Sequence, residues 1–336
     1  MRTKLSITGW ACLLSGCMAS ALAGPVSPGE SRTSTVRQWP EAPEGFASVN
    51  AMGQNGVTGG AGGKTVTVTT REELKRFAES TDPYVIRVRG SIDLKDGSRD
   101  PRIDVASDKT IVGVGKTAEI VGGRLYPLAG VHNVIIRNLT IRNSPTDGVT
   151  MDGAHHVWVD HCRFHGHADG CLDSRKGTTC LTVSWCIFSD SYKPFGIGWD
   201  TEVAAQMTIH HNWFRNNQYR NPRAGQVLRA HLYNNYLKDI RVRRNWAADG
   251  TRMVVENSFF DNVANPHDSH SPGGKGSSGG VVFASGNIYH KTRGRKDSHK
   301  NMPFNPREFY ESELDRTEAV PDLISEYAGP RESIGR

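Results

Sequence analysis

The sequence predicts an all-β chain wound as a right-handed, single-stranded parallel β-helix, and three observations carry that reading. Six short blocks recur along the middle of the chain, opening at Val134, Val157, Leu181, Met207, Ala230 and Met253 and closing at Leu139, Cys162, Cys186, Asn212, Asn235 and Ser258. The closing positions lie 23, 24, 26, 23 and 23 residues apart, the period of a solenoid. Each block alternates apolar with polar residues and is rich in Val, Ile, Thr and aromatics, so the repeating unit is built of strands.

Coils stacked at the strand spacing rise by about 4.8 Å, which sets like residues of the closing column directly on one another. Asn212 and Asn235 are therefore expected to bond through their amides as part of an internal ladder. Cys162 and Cys186 occupy the same column one coil apart, where a disulfide or a pair of stacked reduced thiols would fit equally well. An open solenoid end exposes strand edges and core. Thr70-Arg71-Glu72-Glu73 reads as a capping box opening a short amphipathic helix through Leu74, Phe77 and Ala78, placed to plug the N-terminal end. Beyond about residue 292 the sequence turns polar and is punctuated by Pro303, Pro306, Pro321 and Pro330, which predicts an irregular C-terminal segment packed along or over the helix. One domain, residues 24–336, accounts for the rest of the chain.

Residues 1–23 read as a leader. Arg2 and Lys4 precede an apolar stretch from Leu5 to Met18, and Ala21-Leu22-Ala23 offers a cleavage site before Gly24. The stretch is too short to span a bilayer, so an exported, secreted protein is expected. Leu14-Ser15-Gly16-Cys17 also resembles a lipobox, and lipidation at Cys17 is the alternative that would tether the chain to a membrane. Without its leader the chain loses two of its positive charges, falling from +6 to +4. A mildly basic exported protein suits an acidic polysaccharide better than nucleic acid. Four of the six cysteines, Cys162, Cys171, Cys180 and Cys186, follow the leader; an oxidising compartment permits disulfides among them without requiring any.

Two signals are set aside on their spacing. Gly63-Lys64-Thr65 and Gly115-Lys116-Thr117 lack the glycine five residues upstream that a phosphate-binding loop needs, having Thr58 and Thr110 there. His155, His156, His161, His210 and His211 lie in or beside strand blocks with neighbouring pairs directed to opposite faces, so they do not converge as zinc ligands would.

Chemistry concentrates in Asp147, Asp169 and Asp173. The run Asp169-Gly170-Cys171-Leu172-Asp173 places two acids on one face of a strand, and Asp147 stands 22 residues earlier, about one coil below. Carboxylates gathered on adjacent coils repel each other, and a hard cation with oxygen ligands relieves the repulsion, which makes Ca2+ the expected occupant. Lys193 and Arg220 follow one and two coils later.

With these pieces in place, the chain resembles the polysaccharide lyases of family 1, the pectate lyase and pectin lyase superfamily, over nearly its whole mature length. The matching segments are Gly45-Phe46-Ala47, Thr58-Gly59-Gly60-Ala61-Gly62-Gly63, Val157-Trp158-Val159-Asp160-His161, Asp169-Gly170-Cys171-Leu172-Asp173, Thr182-Val183-Ser184, and Arg220-Asn221-Pro222-Arg223 leading to Asn234-Asn235-Tyr236. The resemblance implies β-elimination of polygalacturonate by a monomeric enzyme. It implies Asp147, Asp169 and Asp173 as calcium ligands, Lys193 on a substrate carboxylate, Arg220 as catalytic base and Arg223 in substrate binding. Two departures stand out. Pro145 occupies a position where some members carry a further acid, and Gly225 stands where a third arginine is usual, leaving that arginine either absent or replaced by Arg229. A pectin lyase acting on methyl-esterified polymer, a hydrolytic polygalacturonase and a non-catalytic polysaccharide-binding β-helix are the rival readings. The retained acids disfavour the first, the absence of any Asp-Asp pair the second, and the cluster of cations the third.

Overall fold

The computed structural model describes residues 42–200, 202–242, 245–269 and 279–336, so the leader, with its cleavage site and Cys17, lies outside the described residues. Strands of successive coils pair in parallel into three sheets. The ten-stranded sheet runs from Lys64–Val68 to Val281–Ser285, the nine-stranded from Ser91–Asp93 to Ile288–His290, and the eight-stranded from Arg102–Val105 to His267–Asp268. The six blocks read from the sequence lie on consecutive strands of the ten-stranded sheet, His132–Arg137 through Arg252–Glu256.

Parallel register puts one aliphatic side chain above the next. Ile136 pairs with Val159, Val159 with Val183, Val183 with Ile209 and Ile209 with Leu232, and all five are buried. Phe164, Phe188 and Phe214 form a second stack, with ring centroids 5.1 and 4.9 Å apart and planes within 8° of parallel. Each such side chain contributes about 1.5–3 kcal/mol by leaving water.

The chain leaves each block through a residue in the left-handed region: Asn138, His161, Trp185, His211, Asn234 and Asn257 have φ between 43° and 61°. The residue that follows points inward, and its polar atoms must find partners there. Asn212 Oδ1 accepts from the Cys186 N–H at 2.9 Å, while its Nδ2 donates to Val183 O at 2.9 Å and to Asn235 Oδ1 at 3.1 Å. Asn235 repeats the pattern: its Oδ1 accepts from the Asn212 N–H at 3.0 Å and its Nδ2 donates to Ile209 O at 2.8 Å, while its main-chain N–H donates to the Ser258 hydroxyl at 3.1 Å. The expected ladder is present. All four described cysteines are free, and the Cys162 N–H donates to Cys186 Sγ at 3.4 Å, so the thiols extend the column as packed, reduced side chains.

The N-terminal end of the solenoid is covered, and the C-terminal segment runs along its side. In helix α1, Arg71–Ala78, the Thr70 hydroxyl accepts from the Glu73 N–H and the Glu73 carboxylate accepts from the Thr70 N–H, each at 3.2 Å, while Leu74 and Ala78 are buried. The C-terminal segment departs from the irregular form expected, because residues Val320–Tyr327 make a second helix, α2. Pro321 sits in its first turn, where the missing N–H has no partner to lose, and Val320 and Ile324 are buried. The segment is strapped to the column of left-handed turns. The Asp315 N–H donates to Asn234 Oδ1 at 3.0 Å, the Gly329 N–H to Trp185 O at 2.7 Å and the Arg331 N–H to Asn138 Oδ1 at 2.6 Å. No helix among the described residues is long and apolar enough to cross a membrane.

The ladder gives the first expected outcome. Asn212→Leu leaves the Cys186 N–H and the Val183 carbonyl buried without their partner, and stability should fall by about 1–3 kcal/mol. Urea unfolding followed by circular dichroism measures it, and an unchanged midpoint would remove Asn212 from the set of stabilising groups.

Candidate active site

The site lies on the outer face of the eight-stranded sheet, where parallel register lines up unlike residues instead of like ones. Asp173, on strand Gly170–Arg175, pairs with Thr150 on one side and Gly196 on the other; Gly196 pairs in turn with Arg223, and Arg223 with Trp246. Asp147 precedes the strand Val149–Asp152, Lys193 opens the strand Lys193–Gly198, and Arg220 precedes the strand Arg223–Gly225. Four successive coils therefore deliver an acid pair and three cations to one surface.

Asp147 and Asp173 come together. Asp147 accepts from the Gly170 N–H at 2.9 Å and from the Thr150 hydroxyl at 2.7 Å, with an Arg124 nitrogen 3.6 Å away. Asp173 accepts from the Gly196 N–H at 3.2 Å. Gly170 makes the meeting possible: a Cβ there would stand 2.7 Å from Asp173 Oδ1 and 3.0 Å from Asp147 Oδ1. Both carboxylates are 5% exposed. Burial, and then the charge of Asp147, push the Asp173 carboxyl up to about 7, a conflict only partly relieved by Arg220 and Arg175.

Asp169 does not join them in this arrangement. It is more than half exposed and accepts from Lys193 Nζ at 3.0 Å, so the third expected ligand is paired with the lysine read as a substrate contact. Among the described residues no group of three His, Cys, Asp or Glu side chains is already arranged to hold a metal ion.

Arg220 and Arg223 share an aromatic neighbour. Their guanidinium carbons lie 5.1 and 5.5 Å from the ring centre of Trp199. Arg223 is held further, 5.2 Å from the Trp246 ring and 2.8 Å from Asp249 Oδ2. Burial, and the nearby charge of Arg220, draw the Arg223 guanidinium below its ordinary range, against the pull of Asp249. Gly225 is explained by this pair. A Cβ there would lie 2.9 Å from Arg223 Nη1 and 3.2 Å from Asp249 Oδ2, so the usual third arginine is replaced by space for an ion pair. Arg229 does not stand in for it. That residue belongs to the strand Val227–Tyr233 of the ten-stranded sheet, where it bonds Gln206 at 3.0 Å and covers the Phe309 ring.

Sequence reasoning missed Thr150, Trp199 and Asp249, together with a neighbouring ion cluster. Asp152 accepts from Arg175, Lys176 and Tyr126 at 2.7 Å each, and although burial opposes it, these partners hold its carboxyl down to about 2. None of these residues belongs to a recognisable motif, and their roles follow from register across coils. Gly196-Ile197-Gly198 next to Trp199 was the one local hint, since glycines at alternate strand positions admit a bulky neighbour.

Residues 36–333 match the sequence profile described as pectate lyase. A pectate trisaccharide-lyase of Thermotoga maritima is 40% identical over 215 residues, 58% of this chain and 57% of that one, so the match spans little more than half the length of that relative. A pectate trisaccharide-lyase of Bacillus licheniformis is 31% identical over 306 residues, 85% of each chain. Among solved structures, the pectate lyase of Bacillus sp. N165 in complex with trigalacturonate aligns with TM-score 0.73 at 26% identity, covering 86% of this chain and 98% of that one. A pectate lyase variant from Xanthomonas campestris aligns with TM-score 0.70 at 21% identity, covering 87% and 99%, and shares the fold. The stacked coils, the acid pair around Gly170 and the agreement of sequence over most of the chain lead to one conclusion: this protein belongs to the pectate lyase family.

Proposed function

We propose that the protein acts outside the cell as a calcium-dependent pectate lyase, cleaving (1,4)-α-D-galacturonan by β-elimination to give 4,5-unsaturated oligogalacturonides. The observation that supports this most is the meeting of Asp147 and Asp173 around Gly170 with Lys193, Arg220 and Arg223 on the coils that follow. The trigalacturonate named with the Bacillus sp. N165 enzyme is a ligand of the same polymer class.

The donor set suits calcium. Hard carboxylate oxygens surround a cradle that a Cβ would fill, and the raised Asp173 carboxyl marks negative charge in need of a cation. Asp147, Asp173 and the exposed Asp169 would hold the ion, and recruiting Asp169 would release Lys193 for a substrate carboxylate. When bound, calcium supplies positive charge beside that carboxylate.

The chain's own residues then divide the work. Lys193 neutralises the carboxylate at C5, where charge accumulates as the adjacent proton leaves. Arg220 removes the C5 proton, the electron pair left behind forms the C4–C5 double bond, the C4–oxygen bond breaks, and the departing oxygen takes a proton from solvent. A guanidine is a base only when neutral, and cationic surroundings favour that form; Lys193 and Arg223 provide them. Arg223, fixed by Asp249 and two tryptophans, contributes a substrate contact and a stationary charge.

Two outcomes are expected. Ultraviolet absorbance of the unsaturated product should appear with polygalacturonate and calcium, vanish with excess chelator and return when calcium is restored. Full activity after metal removal, with preference for highly methylated pectin, would replace this reading with the pectin lyase one, and no product from either polymer would favour a binding protein.

The second outcome separates the two cations. Arg220→Lys keeps a charge but loses reach and the planar fork, so kcat should fall on the order of 10²-fold or more. Lys193→Arg should retain measurable turnover with a raised KM. Near-normal kcat in the Arg220→Lys enzyme would exclude Arg220 as the base.

A further inference from the structure

Trp199 is a large side chain in an unexpected place. It is 46% exposed beside Arg220 and Arg223, and its backbone lies in the left-handed region at φ 60°, directly after Gly198 at φ 124°. The same left-handed backbone recurs at the coil turns of this chain, Trp185 among them, and here it closes the strand. Gly198 cannot carry a side chain, because a Cβ would stand 2.6 Å from the Gly225 carbonyl oxygen. Two consecutive left-handed residues turn the chain back at the end of the strand Lys193–Gly198 and lay the indole over Gly196. A Cβ on Gly196 would meet Trp199 Cη2 at 2.8 Å and Asp173 Oδ1 at 2.8 Å. The ring edge thus borders the buried carboxylate, while the guanidinium groups of Arg220 and Arg223 lie 5.1 and 5.5 Å from the ring centre.

Arg223 has Asp249 and Trp246 besides. Arg220 has neither. Among the described residues its side chain makes no hydrogen bond or ion pair; it rests on the Trp199 ring, and its charge acts on Asp173 and Arg223. A guanidinium so close to a buried, poorly neutralised acid would be expected to close a salt bridge with it. No such bridge forms: Asp173 is bonded to the Gly196 N–H, and Arg220 rests on the indole.

Resting on the elimination reading above, we infer that Trp199 is a positioning residue that acts through Arg220. Its ring draws the guanidinium onto the indole by cation–π attraction and away from a salt bridge with Asp173, so that the acid stays open to a cation and Arg220 stays open to a proton. A misplaced base loses rate far more than binding, because the rate depends on the approach of the reacting atoms.

The test uses Trp199→Asn, which removes the ring while keeping a residue that tolerates left-handed backbone, and Trp199→Phe, which keeps a ring. Trp199→Asn should lower kcat on polygalacturonate on the order of 10- to 100-fold with little change in KM, and Trp199→Phe should restore most of the loss. In a double-mutant cycle with Arg220→Lys, the combined loss should be much smaller than the product of the two single losses. Calorimetric titration of the substrate-free protein with calcium alone should show weaker binding in Trp199→Asn, because Arg220 then competes for Asp173. Thermal unfolding should stay at the wild-type midpoint, which a merely structural role would move. A raised KM with unchanged kcat would overturn the inference and make Trp199 a surface for the sugar ring. Additive losses together with unchanged calcium binding would overturn it as well. If the wild-type protein formed no product from polygalacturonate, the lyase reading would fail by itself, and the calcium titration of Trp199→Asn would still decide whether the indole shields Asp173.

Discussion

Everything in this molecule depends on the parallel hydrogen bonding that sets one coil on the next at the strand spacing, roughly 4.8 Å. At that distance a side chain has the residue one repeat away as its nearest neighbour, so each column must be compatible with itself. Aliphatic residues satisfy the condition by packing, as Ile136, Val159, Val183 and Ile209 do. Aromatic rings satisfy it by stacking, as in Phe164, Phe188 and Phe214. Asparagine satisfies it because its amide both donates and accepts, and Asn212 on Asn235 uses both capacities while binding main-chain groups as well. The left-handed turns that carry these residues also present carbonyls and amides outward, and the C-terminal segment is strapped on by bonding Asn234, Trp185 and Asn138 in turn.

Like charges are the one class that cannot meet this condition unaided. On the outer face of the eight-stranded sheet the chain sets Asp147 and Asp173 around Gly170 one coil apart, and the consequence is a carboxyl pushed well above its usual range by burial and by its neighbour. Nearby Asp152 shows the contrast. With Arg175, Lys176 and Tyr126 as partners it is held low, so an acid on this face can be fully neutralised by the protein. Asp173 is left without such partners, which is what a cation site requires.

The family resemblance and the site geometry inform different questions. The resemblance covers most of the chain and supplies roles for Asp147, Asp169, Asp173, Lys193, Arg220 and Arg223. The geometry shows the contacts these residues make: Asp169 is engaged by Lys193, and Gly225 makes room for the Arg223–Asp249 pair. The Arg223–Asp249 ion pair occupies that space.

The sequence by itself determined the stack. Period, alternation and the identity of the closing column are local and repetitive, and repetition converts a one-residue preference into a column of contacts, so Asn212, Asn235 and the capping box at Thr70 were all legible. So was the acid-rich segment around Gly170, because its two aspartates share one strand. The tertiary structure alone decided which residues on different coils meet. That Asp249 reaches Arg223 and that Asp169 turns to Lys193 depend on registers between residues 24 to 26 positions apart and on turn lengths that vary from coil to coil. The sequence has no period for such contacts, since each occurs once. The helix Val320–Tyr327 was hidden for a related reason: Pro321 reads as a breaker in isolation and becomes a helix start only when Val320 and Ile324 have a surface to bury against.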